Sequence, residues 1–432
     1  MTDRPGCVIA VSVTPIALEA DSRAYRIACT LADSGFRSIV VEGRPSRNRF
    51  WDERLEVLSL GRSVAESFSG SAFRNGRLRS VVTALREGRI GSPGEAMLYA
   101  AFRAHDWRYH YHIPRARLPV ADLYYLHSFE MHRAVMPIAA RNGARIIYDA
   151  HDFYREIDPP EAQRSFDRNR LRPFYDRLES QLVATAAAVV TVSDGVAEQM
   201  ERVFGRRPEV VRNCHDDRRD RRDGPDLRRI LGLTGADQLC VMIGNYKSGM
   251  ALEIAAAALA LLPGNFHFAF VGRGYEAVAG TLPRKLIASR LHLGNAFDPD
   301  KVVPSIRSAD IGLVIYEAYS ENYRCALPNG FFQIVAAGLP IVRGHLPEIE
   351  AAIGGHPVGV CLPHLDPATL AQAILRCAKD AAALRANAAA LARELRWETE
   401  AARLRNLIDS VVAGSRPVAM DTTTRELSWH RG

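Results

Sequence analysis

The chain has 432 residues, of which 47% are hydrophobic, and its formal net charge is +7. This length exceeds what one hydrophobic core usually supports, so we expect a globular protein of two domains. No run of about 18 or more apolar residues occurs, and the N-terminal stretch MTDRPGCVIAVSVTP lacks the features of a signal peptide. These observations predict a cytoplasmic protein and argue against a secreted or membrane-spanning one.

Cysteine spacing and charge limit the function further. The seven cysteines show no paired spacing of the kind that binds zinc or forms a redox couple, so we expect most to be reduced core residues: Cys7, Cys29, Cys214, Cys240, Cys325, Cys361 and Cys377. The positive charge favours anionic partners such as nucleotides or acidic lipids. Nucleic-acid binding is not expected, because no basic and aromatic residues interleave in the way that stacks bases.

Strand and helix patterns alternate through the first half of the chain. The runs GCVIAVSVTP, SIVVEG, ADLYYLHS, ARIIYDAHD and AAAVVTVSDG predict buried strands, and SRAYRIACTLADSG and EMHRAVMPIAARNG predict helices between them. This alternation indicates a parallel sheet, in which ligands bind at the carboxyl ends of the strands. The polar residues at those ends are His127, Ser128, His151 and Asp152.

Two segments carry weaker signals. Residues 45–118 show little periodicity, and we predict a mobile loop or an insertion facing an acceptor. Residues 215–229, HDDRRDRRDGPDLRR, alternate Arg with Asp and contain a Gly-Pro pair. A solvated linker is the expected structure of this run, with an anion-binding patch as the alternative.

The pattern of the first half restarts after this linker. Strands are predicted in QLCVMIGNYKSG, FHFAFVGRG, ADIGLVIYEA, LPIVRG and VGVCLP, and helices in GMALEIAAAALALLPG, NGFFQIVAAG and residues 366–397. We predict an α/β fold of two Rossmann-like doubly wound domains that face a central cleft. The predicted parts are an N-terminal domain (1–213), a charged linker (214–236), a C-terminal domain (237–395), a C-terminal helix (396–412) and a disordered tail (413–432).

The stretch LPNGFFQIVAAGLPIV, residues 327–342, contains a candidate anion site. A helix that begins at Asn329 or Gly330 presents unpaired N–H groups and the positive end of its dipole, which suits a phosphate group. Gly330 lets the backbone approach an anion closely. The alternative from the residues alone is an ordinary capped helix.

This stretch resembles the donor-site signature of the retaining GT-B glycosyltransferases of family four. The related branch reads roughly Ser-Pro-Asn-Lys-Leu-Phe-Glu-Tyr, followed by Ala-Ala-Gly-Leu-Pro-Val-Val. Similar segments follow in the family's order over most of residues 7–375: DSRAYRIACTLADSGF, ADLYYLHS, ARIIYDAHDFYREI, AAAVVTVSDGVAEQM, VVRNCHD, VMIGNY, FVGRG and SADIGLVIY. The resemblance implies a retaining, metal-independent transfer of a hexosyl or other sugar, without a cofactor. The donor would be a nucleotide sugar, and the acceptor a glycan, a lipid-linked sugar or a small molecule, as in polysaccharide biosynthesis.

The resemblance also implies donor-site residues in the second domain. Asn329 and the N–H groups of Gly330 and Phe331 would contact the donor pyrophosphate, and Gln333 stands where the family has a ribose-binding glutamate. The other donor-side candidates are Gly244, Asn245, Lys247 and Arg273 in the turns after strands, and Glu317 or Glu321 near the sugar.

In the first domain, His151 matches the histidine of the family's Tyr-Asp-x-His-Glu, and Asp152 takes the place of the glutamate. His127 aligns with a similar histidine at the cleft edge. These three are the predicted catalytic residues, because a histidine there can donate hydrogen bonds or exchange protons near neutral pH. Asp21 and Arg23 lie in the first strand-to-helix turn, where they either face the acceptor or pair with each other and cap the helix.

Three departures from the family pattern keep alternatives open. Gln333 lacks the glutamate's charge, Gly330 replaces a lysine, and Cys325 stands where other members have a second glutamate. A catalytically impaired binding or partner subunit is therefore one alternative, and a nucleotide-sugar epimerase on the same fold is another. The basic charge and the habit of the family suggest peripheral contact with the inner membrane.

Overall fold

The computed structural model describes residues 8–61, 92–156, 171–220 and 224–414. Cys7, part of the weakly patterned segment 45–118 and the predicted tail from residue 415 onward lie outside these ranges. The described residues form two sheets in which every pairing is parallel. The predicted α/β class with two Rossmann-like sheets is confirmed.

The first sheet has the strand order β3-β2-β1-β4-β5-β6-β7. Its strands are β1 (Ile9–Thr14), β2 (Arg37–Glu42), β3 (Glu56–Ser59), β4 (Leu123–Leu126), β5 (Arg145–Ala150), β6 (Ala188–Thr191) and β7 (Glu209–Val210). The chain adds strands outward in one direction from β1 and in the opposite direction from β4. A crevice therefore opens at the carboxyl ends of these two parallel strands.

The second sheet has the order β10-β9-β8-β11-β12-β13. Its strands are β8 (Gln238–Ile243), β9 (Phe266–Val271), β10 (Leu291–Gly294), β11 (Ile311–Val314), β12 (Ile341–Arg343) and β13 (Gly359–Cys361). Here the reversal lies between β8 and β11, and the equivalent crevice opens beside them.

Helices cover the faces of both sheets. Those of the first half are α1 (Ser22–Asp33), α2 (Ser92–Asp106), α3 (Ile113–Arg117), α4 (His132–Asn142), α5 (Arg172–Thr185) and α6 (Asp194–Phe204). The later helices are α7 (Leu227–Ile230), α8 (Leu252–Leu261), α9 (Arg284–Ser289), α10 (Val302–Ile306), α11 (Glu321–Arg324), α12 (Asn329–Ala336), α13 (Pro347–Ile353), α14 (Pro367–Lys379), α15 (Ala381–Glu394) and α16 (Trp397–Ala413). Over the described ranges, no helix combines the length and the apolar character needed to cross a bilayer.

The structure differs from the sequence prediction in a few elements. The edge strands β3, β7 and β10 were not predicted, because most of their residues are half-buried or exposed and form no continuous apolar run. The single long helix predicted over 366–397 is two helices, α14 and α15, with Asp380 between them outside helical geometry. Within 45–118, the described part contains β3, α2 and α3.

The C-terminal helix α16 packs on the first sheet, although it follows the second sheet in the chain. Trp397, Ala401 and Leu404 join an apolar cluster with Ile27 and Leu31 of α1. The Trp397 indole N–H also donates to Thr30 Oγ1 at 3.0 Å. The chain therefore crosses between its halves twice, once near residue 214 and once near residue 396. The predicted boundaries at residues 213, 236 and 395 stay a prediction.

The charged linker is held against the protein rather than solvated. Arg219 forms ion pairs with Asp33 at 3.2 Å, with Asp216 at 3.4 Å and with Asp52. Asp220 pairs with Arg307 of the second half at 3.3 Å. The alternation of Arg and Asp suggested exposure, but Arg219 and Asp220 form ion pairs with residues of both halves. Residues 221–223 lie outside the described ranges.

Candidate functional site

Two adjoining cavities lie where the carboxyl edges of the two sheets face each other. One, of about 370 Å³, lies against the first domain and is bordered by Asp21, His151 and Asp152. The other, of about 300 Å³, lies against the second domain. Both are lined by Ser22 and by the group Ala20, Lys247, Tyr316, Pro328 and Asn329. The two cavities therefore meet between the start of α1 and the start of α12.

Three glycines, Gly244, Gly272 and Gly330, line the second cavity and allow close contacts between main-chain segments. A Cβ on Gly272 would lie 2.0 Å from the carbonyl oxygen of Gly244, and a Cβ on Gly330 would lie 2.3 Å from that of Ile243. Gly244 also has a φ of +143°, which disfavours other residues. These contacts bring the turns after β8 and β9 and the first turn of α12 together at backbone distance.

The helix predicted at Asn329 begins there, since α12 spans Asn329–Ala336. The backbone N–H groups of Asn329 and Gly330 donate to no described residue, so they remain for a ligand in the cavity. The expectation for Phe331 is wrong: its N–H donates to Pro328 O at 2.9 Å, and its side chain is fully buried. The third N–H of a helix can be satisfied by such a tight turn.

Gln333, Asn245, Lys247 and Arg273 all line the second cavity. Lys247 is exposed and has no carboxylate within ion-pair distance in the described ranges. The Arg273 guanidinium instead reaches Glu19 of the first domain at 3.2 Å, and its backbone N–H donates to Asn245 Oδ1 at 3.0 Å. Lys247 is therefore the available cation where the cavities meet.

The two glutamates predicted near the sugar lie outside both cavities. Glu317 is exposed to solvent, and its backbone N–H donates to Gly249 O at 2.8 Å. The Glu321 carboxylate accepts from Gln199 at 3.2 Å and pairs with Arg324 at 3.0 Å. The sequence placed them after a strand end, but the loop turns them away from the cavity.

Asn329 joins the two domains through its side chain. Its Oδ1 accepts a hydrogen bond from Asn213, and its Nδ2 donates to Ser22 Oγ at 3.3 Å. Asn213 Oδ1 in turn accepts from Arg26. The predicted contact with pyrophosphate therefore falls to the backbone of Asn329, because its side chain is engaged with the first domain.

The loop after β5 carries His151 and Asp152 into the first cavity. Buried Asn322 of α11 fixes this loop: its Oδ1 accepts from Phe153 N–H at 2.7 Å, and its Nδ2 donates to Asp152 Oδ1 at 3.2 Å. The side chain of His151 keeps 21% of its surface exposed. The second domain thus holds a loop of the first.

Beneath His151 lies a buried charge cluster centred on Asp149. Arg23 binds this carboxylate with two hydrogen bonds of 2.8 Å and donates a third to Val211 O at 2.7 Å. Burial alone would raise the pKa of Asp149, but Arg23 and His151 together outweigh burial and hold that pKa well below its usual range. Arg23 therefore pairs with Asp149 and not with Asp21, one of the two roles left open for it.

His127 is a correction to the predicted site. Its side chain has no exposed surface and lies behind His151, with Nδ1 3.2 Å from His151 Nε2, so it does not border the cavity. Burial lowers the pKa of His127 to about 4. The sequence placed His127 at the cavity because it follows a strand end, but the ring of His151 lies between it and the cavity.

Asp21 caps α1, as one of the two interpretations predicted. Its Oδ1 accepts from Ala24 N–H at 3.0 Å, and its Oδ2 accepts from Thr14 Oγ1 at 2.7 Å. It also borders the first cavity. The capping role and the position at the cavity edge are compatible.

His127, Asp149 and His151 bring potential metal ligands within 4.8 Å of one another. The donor geometry does not suit an ion, however. The facing imidazole nitrogens are 3.2 Å apart and the ring centroids 5.4 Å apart, so these nitrogens point at each other rather than at a common centre. Both Asp149 oxygens are bound to Arg23. The cluster fits a hydrogen-bond network.

Two of the three departures from the family pattern have a structural reason. A lysine at Gly330 would place its Cβ against the Ile243 carbonyl oxygen. Cys325 packs in the apolar core of the first domain, and its backbone oxygen accepts from Ser193 Oγ at 2.8 Å. Gly330 therefore serves a close contact within the second half, and Cys325 serves a contact between the two halves.

Solved structures share this architecture. Sucrose-phosphate synthase from Thermosynechococcus elongatus superposes with a TM-score of 0.64 at 14% identity, covering 94% of this chain and 99% of that one. Anabaena HepE in complex with UDP and glucose gives 0.59 at 15% identity, with 93% and 100% covered. An E. coli trehalose-6-phosphate structure bound with UDP-2-fluoro glucose gives 0.60 at 14%, with 94% and 99% covered. Comparison with curated protein sequences gives no match.

Residues 20–214 match the family of glycosyl transferase 4-like domains. The chain has the GT-B fold, with a glycosyl transferase 4-like domain over residues 20–214. The match covers α1, β4, β5 and the loop with His151, and the second sheet supplies the other half of the GT-B fold. The family-matched domain therefore lies opposite the cavity that Gly244, Gly272 and Gly330 line.

Sequence reasoning missed several residues of the site: Glu19, Asp149, Asn213, Gly272 and Asn322. One of them left a signal. Asp149 lies inside the strand RIIYDA, in which every residue after Arg145 is buried. A carboxylate at a buried position requires a hydrogen-bonding or charged partner. The others act through contacts between segments distant in sequence, which no local pattern shows.

Proposed function

We propose that this protein is a glycosyltransferase. It would transfer a sugar from a nucleotide-sugar donor to a hydroxyl group of a glycan, a lipid-linked sugar or a small molecule, with retention of anomeric configuration and without a metal. The observation that carries the proposal is the junction of the two cavities at Lys247 and the start of α12. A donor diphosphate and an acceptor hydroxyl can meet there.

The chemistry of this junction suits a leaving diphosphate. The N–H groups of Asn329 and Gly330, the positive end of the α12 dipole and the Lys247 ammonium all stabilise negative charge that develops on the leaving group. Gln333 borders the same cavity as a neutral hydrogen-bonding partner for ribose hydroxyls. His151 and Asp152 would face the transferred sugar or the acceptor from the first domain.

UDP-glucose is the first donor to test. HepE is solved with UDP and glucose, and the E. coli structure with UDP-2-fluoro glucose. The match of residues 20–214 to a glycosyl transferase 4-like domain favours transfer over the two alternatives, an epimerase and a binding subunit.

The deciding experiment measures the thermal midpoint of the full chain with UDP, GDP, ADP, TDP or CDP, each in EDTA. A nucleotide at about 100 times its dissociation constant should stabilise the protein by about 2.7 kcal/mol. A rise with UDP supports the proposal and a metal-free donor site. A rise in the thermal midpoint with a different nucleotide would mean that the donor carries that base instead of uracil. No rise with any nucleotide would favour the binding-subunit alternative.

A matched pair of lysine variants locates the nucleotide. Lys247→Met removes the cation at the cavity junction and should weaken UDP binding about tenfold, in line with a charge-assisted hydrogen bond. Lys285→Met removes an exposed lysine that borders neither cavity and should leave the affinity unchanged. Equal effects of both substitutions would place UDP elsewhere.

The proposed location is the cytoplasm, with peripheral contact at the inner membrane. The net charge of +7 motivates the contact, because anionic lipid surfaces attract basic proteins. We expect membrane fractions to retain the protein at low salt and to release it at high salt. Complete recovery in the supernatant at low salt would contradict the contact.

A further inference from the structure

The pair of histidines at the first cavity is arranged for directional hydrogen bonding. His127 Nδ1 lies 3.2 Å from His151 Nε2, and the rings lie 5.4 Å apart between centroids. The two nitrogens therefore occupy the line between the rings, and one of them must carry a proton that the other accepts.

Asp149 stabilises the proton between the two histidines, and the difference in exposure of the two rings decides which nitrogen holds it. Its carboxylate lies 3.6 Å from His151 Nε2 and 3.7 Å from His127 Nδ1. Arg23 binds both carboxylate oxygens, so the carboxylate cannot swing toward the cavity. A fixed negative charge stabilises a protonated imidazole beside it, and only His151 reaches solvent to exchange protons.

The other nitrogen of His151 remains for the ligand. The ring borders the first cavity, and Nδ1 has no hydrogen bond with any residue in the described ranges. His127, by contrast, is enclosed and stays neutral, with its pKa near 4 because of burial. Nδ1 of His127 can thus accept from His151 over the ordinary pH range.

We propose that Asp149 and His127 are positioning residues that retain a proton on His151 Nε2. Nδ1 of His151 is then the atom that forms a hydrogen bond with the substrate or transfers a proton to it. When Nδ1 gives its proton to a substrate oxygen, Nε2–H stays bonded to His127, and Asp149 remains a carboxylate. The inference rests on the proposed function only for the identity of the substrate.

The surroundings of His151 agree with this assignment. Burial opposes its charged form, but Asp149 and then Asp21 outweigh burial and the opposing charge of Arg23, so the pKa of His151 is raised. His127 faces it from β4, and Lys247 borders the same cavity from the second domain. Asp149 and Asp21, which raise the pKa of His151, and Arg23, which lowers it, are all held in place by the fold.

The test reads the imidazoles directly. The full chain is labelled with ¹⁵N-histidine, and long-range ¹H–¹⁵N spectra are recorded from acidic to basic pH without substrate. We expect neutral His151 to keep its proton on Nε2 while Nδ1 titrates above the ordinary histidine pKa of about 6.5. A neutral His151 protonated on Nδ1 would overturn the proposal.

Two substitutions of His127 separate a positioning role from packing. His127→Asn places an amide oxygen near the Nδ1 position and should retain the Nε2 tautomer of His151. His127→Leu fills the space without an acceptor and should lower the pKa of His151 and mix its tautomers. Identical spectra for the Asn and Leu variants would contradict the role of His127.

The role of the carboxylate is tested with Asp149→Asn. Loss of an adjacent opposite charge should lower the pKa of His151 by about 1 to 3 units. If this variant does not fold, the His127 pair still decides the proposal. An unchanged His151 titration in folded Asp149→Asn would overturn the role of Asp149.

Activity separates this inference from the proposed function. With UDP-glucose as donor, His127→Leu should lower kcat more than it raises KM, shift the pH profile as the spectra shift, and be rescued by His127→Asn. The expected tautomer without any UDP binding would retain the network and reject the donor proposal. UDP binding together with a neutral His151 protonated on Nδ1 would support the donor proposal and reject the proposed network.

Discussion

The two cavities of this protein are built on different physical principles. The wall on the second domain is a close approach of main chain, made possible by Gly244, Gly272 and Gly330. The wall on the first domain is a buried charge cluster in which Arg23 neutralises Asp149. The first kind of wall fails when atoms are added, and the second fails when a charge is left without its partner.

The largest effect is expected from breaking the charge cluster. Asp149→Asn leaves the Arg23 guanidinium, which is 1% exposed, without its counter-charge, and should reduce the free energy of unfolding by about 3–5 kcal/mol. Urea denaturation at neutral pH measures this. The double variant R23M/D149N should recover most of the loss, because both charges are then absent. A single variant as stable as the parent would show that the pair is not coupled.

The glycine wall should respond to added volume instead. Gly272→Ala puts a Cβ 2.0 Å from the Gly244 carbonyl oxygen, so the two turns must separate. We expect a loss of about 3 kcal/mol in the free energy of unfolding and weaker UDP binding. Gly264→Ala is the matched control, because no atom lies within 4 Å of its added Cβ. Equal stability of both variants would mean that the turns are not in contact.

The contact between the walls is tested at Asn322. Asn322→Ala leaves the buried N–H of Phe153 without an acceptor and frees the loop that carries Asp152. The expected cost is about 2 kcal/mol of unfolding free energy, seen in urea. Easier proteolysis of this loop should accompany it. A variant with unchanged stability would indicate that water replaces the amide oxygen.

Acid should reveal a smaller effect in the first domain. Burial lowers the pKa of His132 to about 4, while an unfolded histidine titrates near 6.5. Between these values the unfolded chain binds more protons, so stability falls as pH falls from about 6.5 to 4. His132→Asn should reduce this dependence by about 1 kcal/mol per pH unit, measured by denaturation at several pH values. An unaltered slope would contradict the low pKa.

Much of the fold could be read from the sequence because its elements are local. Buried parallel strands such as β5 and β8 are runs of apolar residues, and α1 and α4 end where a polar turn or a glycine follows. The start of α12 at Asn329 was predicted for the same reason, since a Pro-Asn-Gly turn precedes an apolar helix. The strands that were not predicted lie at the edges of the sheets, where most of their residues are half-buried or exposed.

The candidate site was predictable only where its residues sit at the ends of such elements. His151, Lys247 and Gln333 border the cavities because strand ends and a helix start place them there. Glu317 and Glu321 follow a strand as well, but a loop turns them outward. His127 also ends a strand, yet the neighbouring ring of His151 covers it.

The sequence by itself determined the two Rossmann-like sheets, the polar strand ends where ligands bind and the family resemblance, because these depend on hydrophobic periodicity and short motifs. Tertiary structure alone decided that Arg23 pairs with Asp149, that Asn322 holds the loop of Asp152 and that Gly330 abuts Ile243. Partners in these contacts are separated by 87 to 170 positions or lie on different domains, and only the packing of the folded chain brings them together.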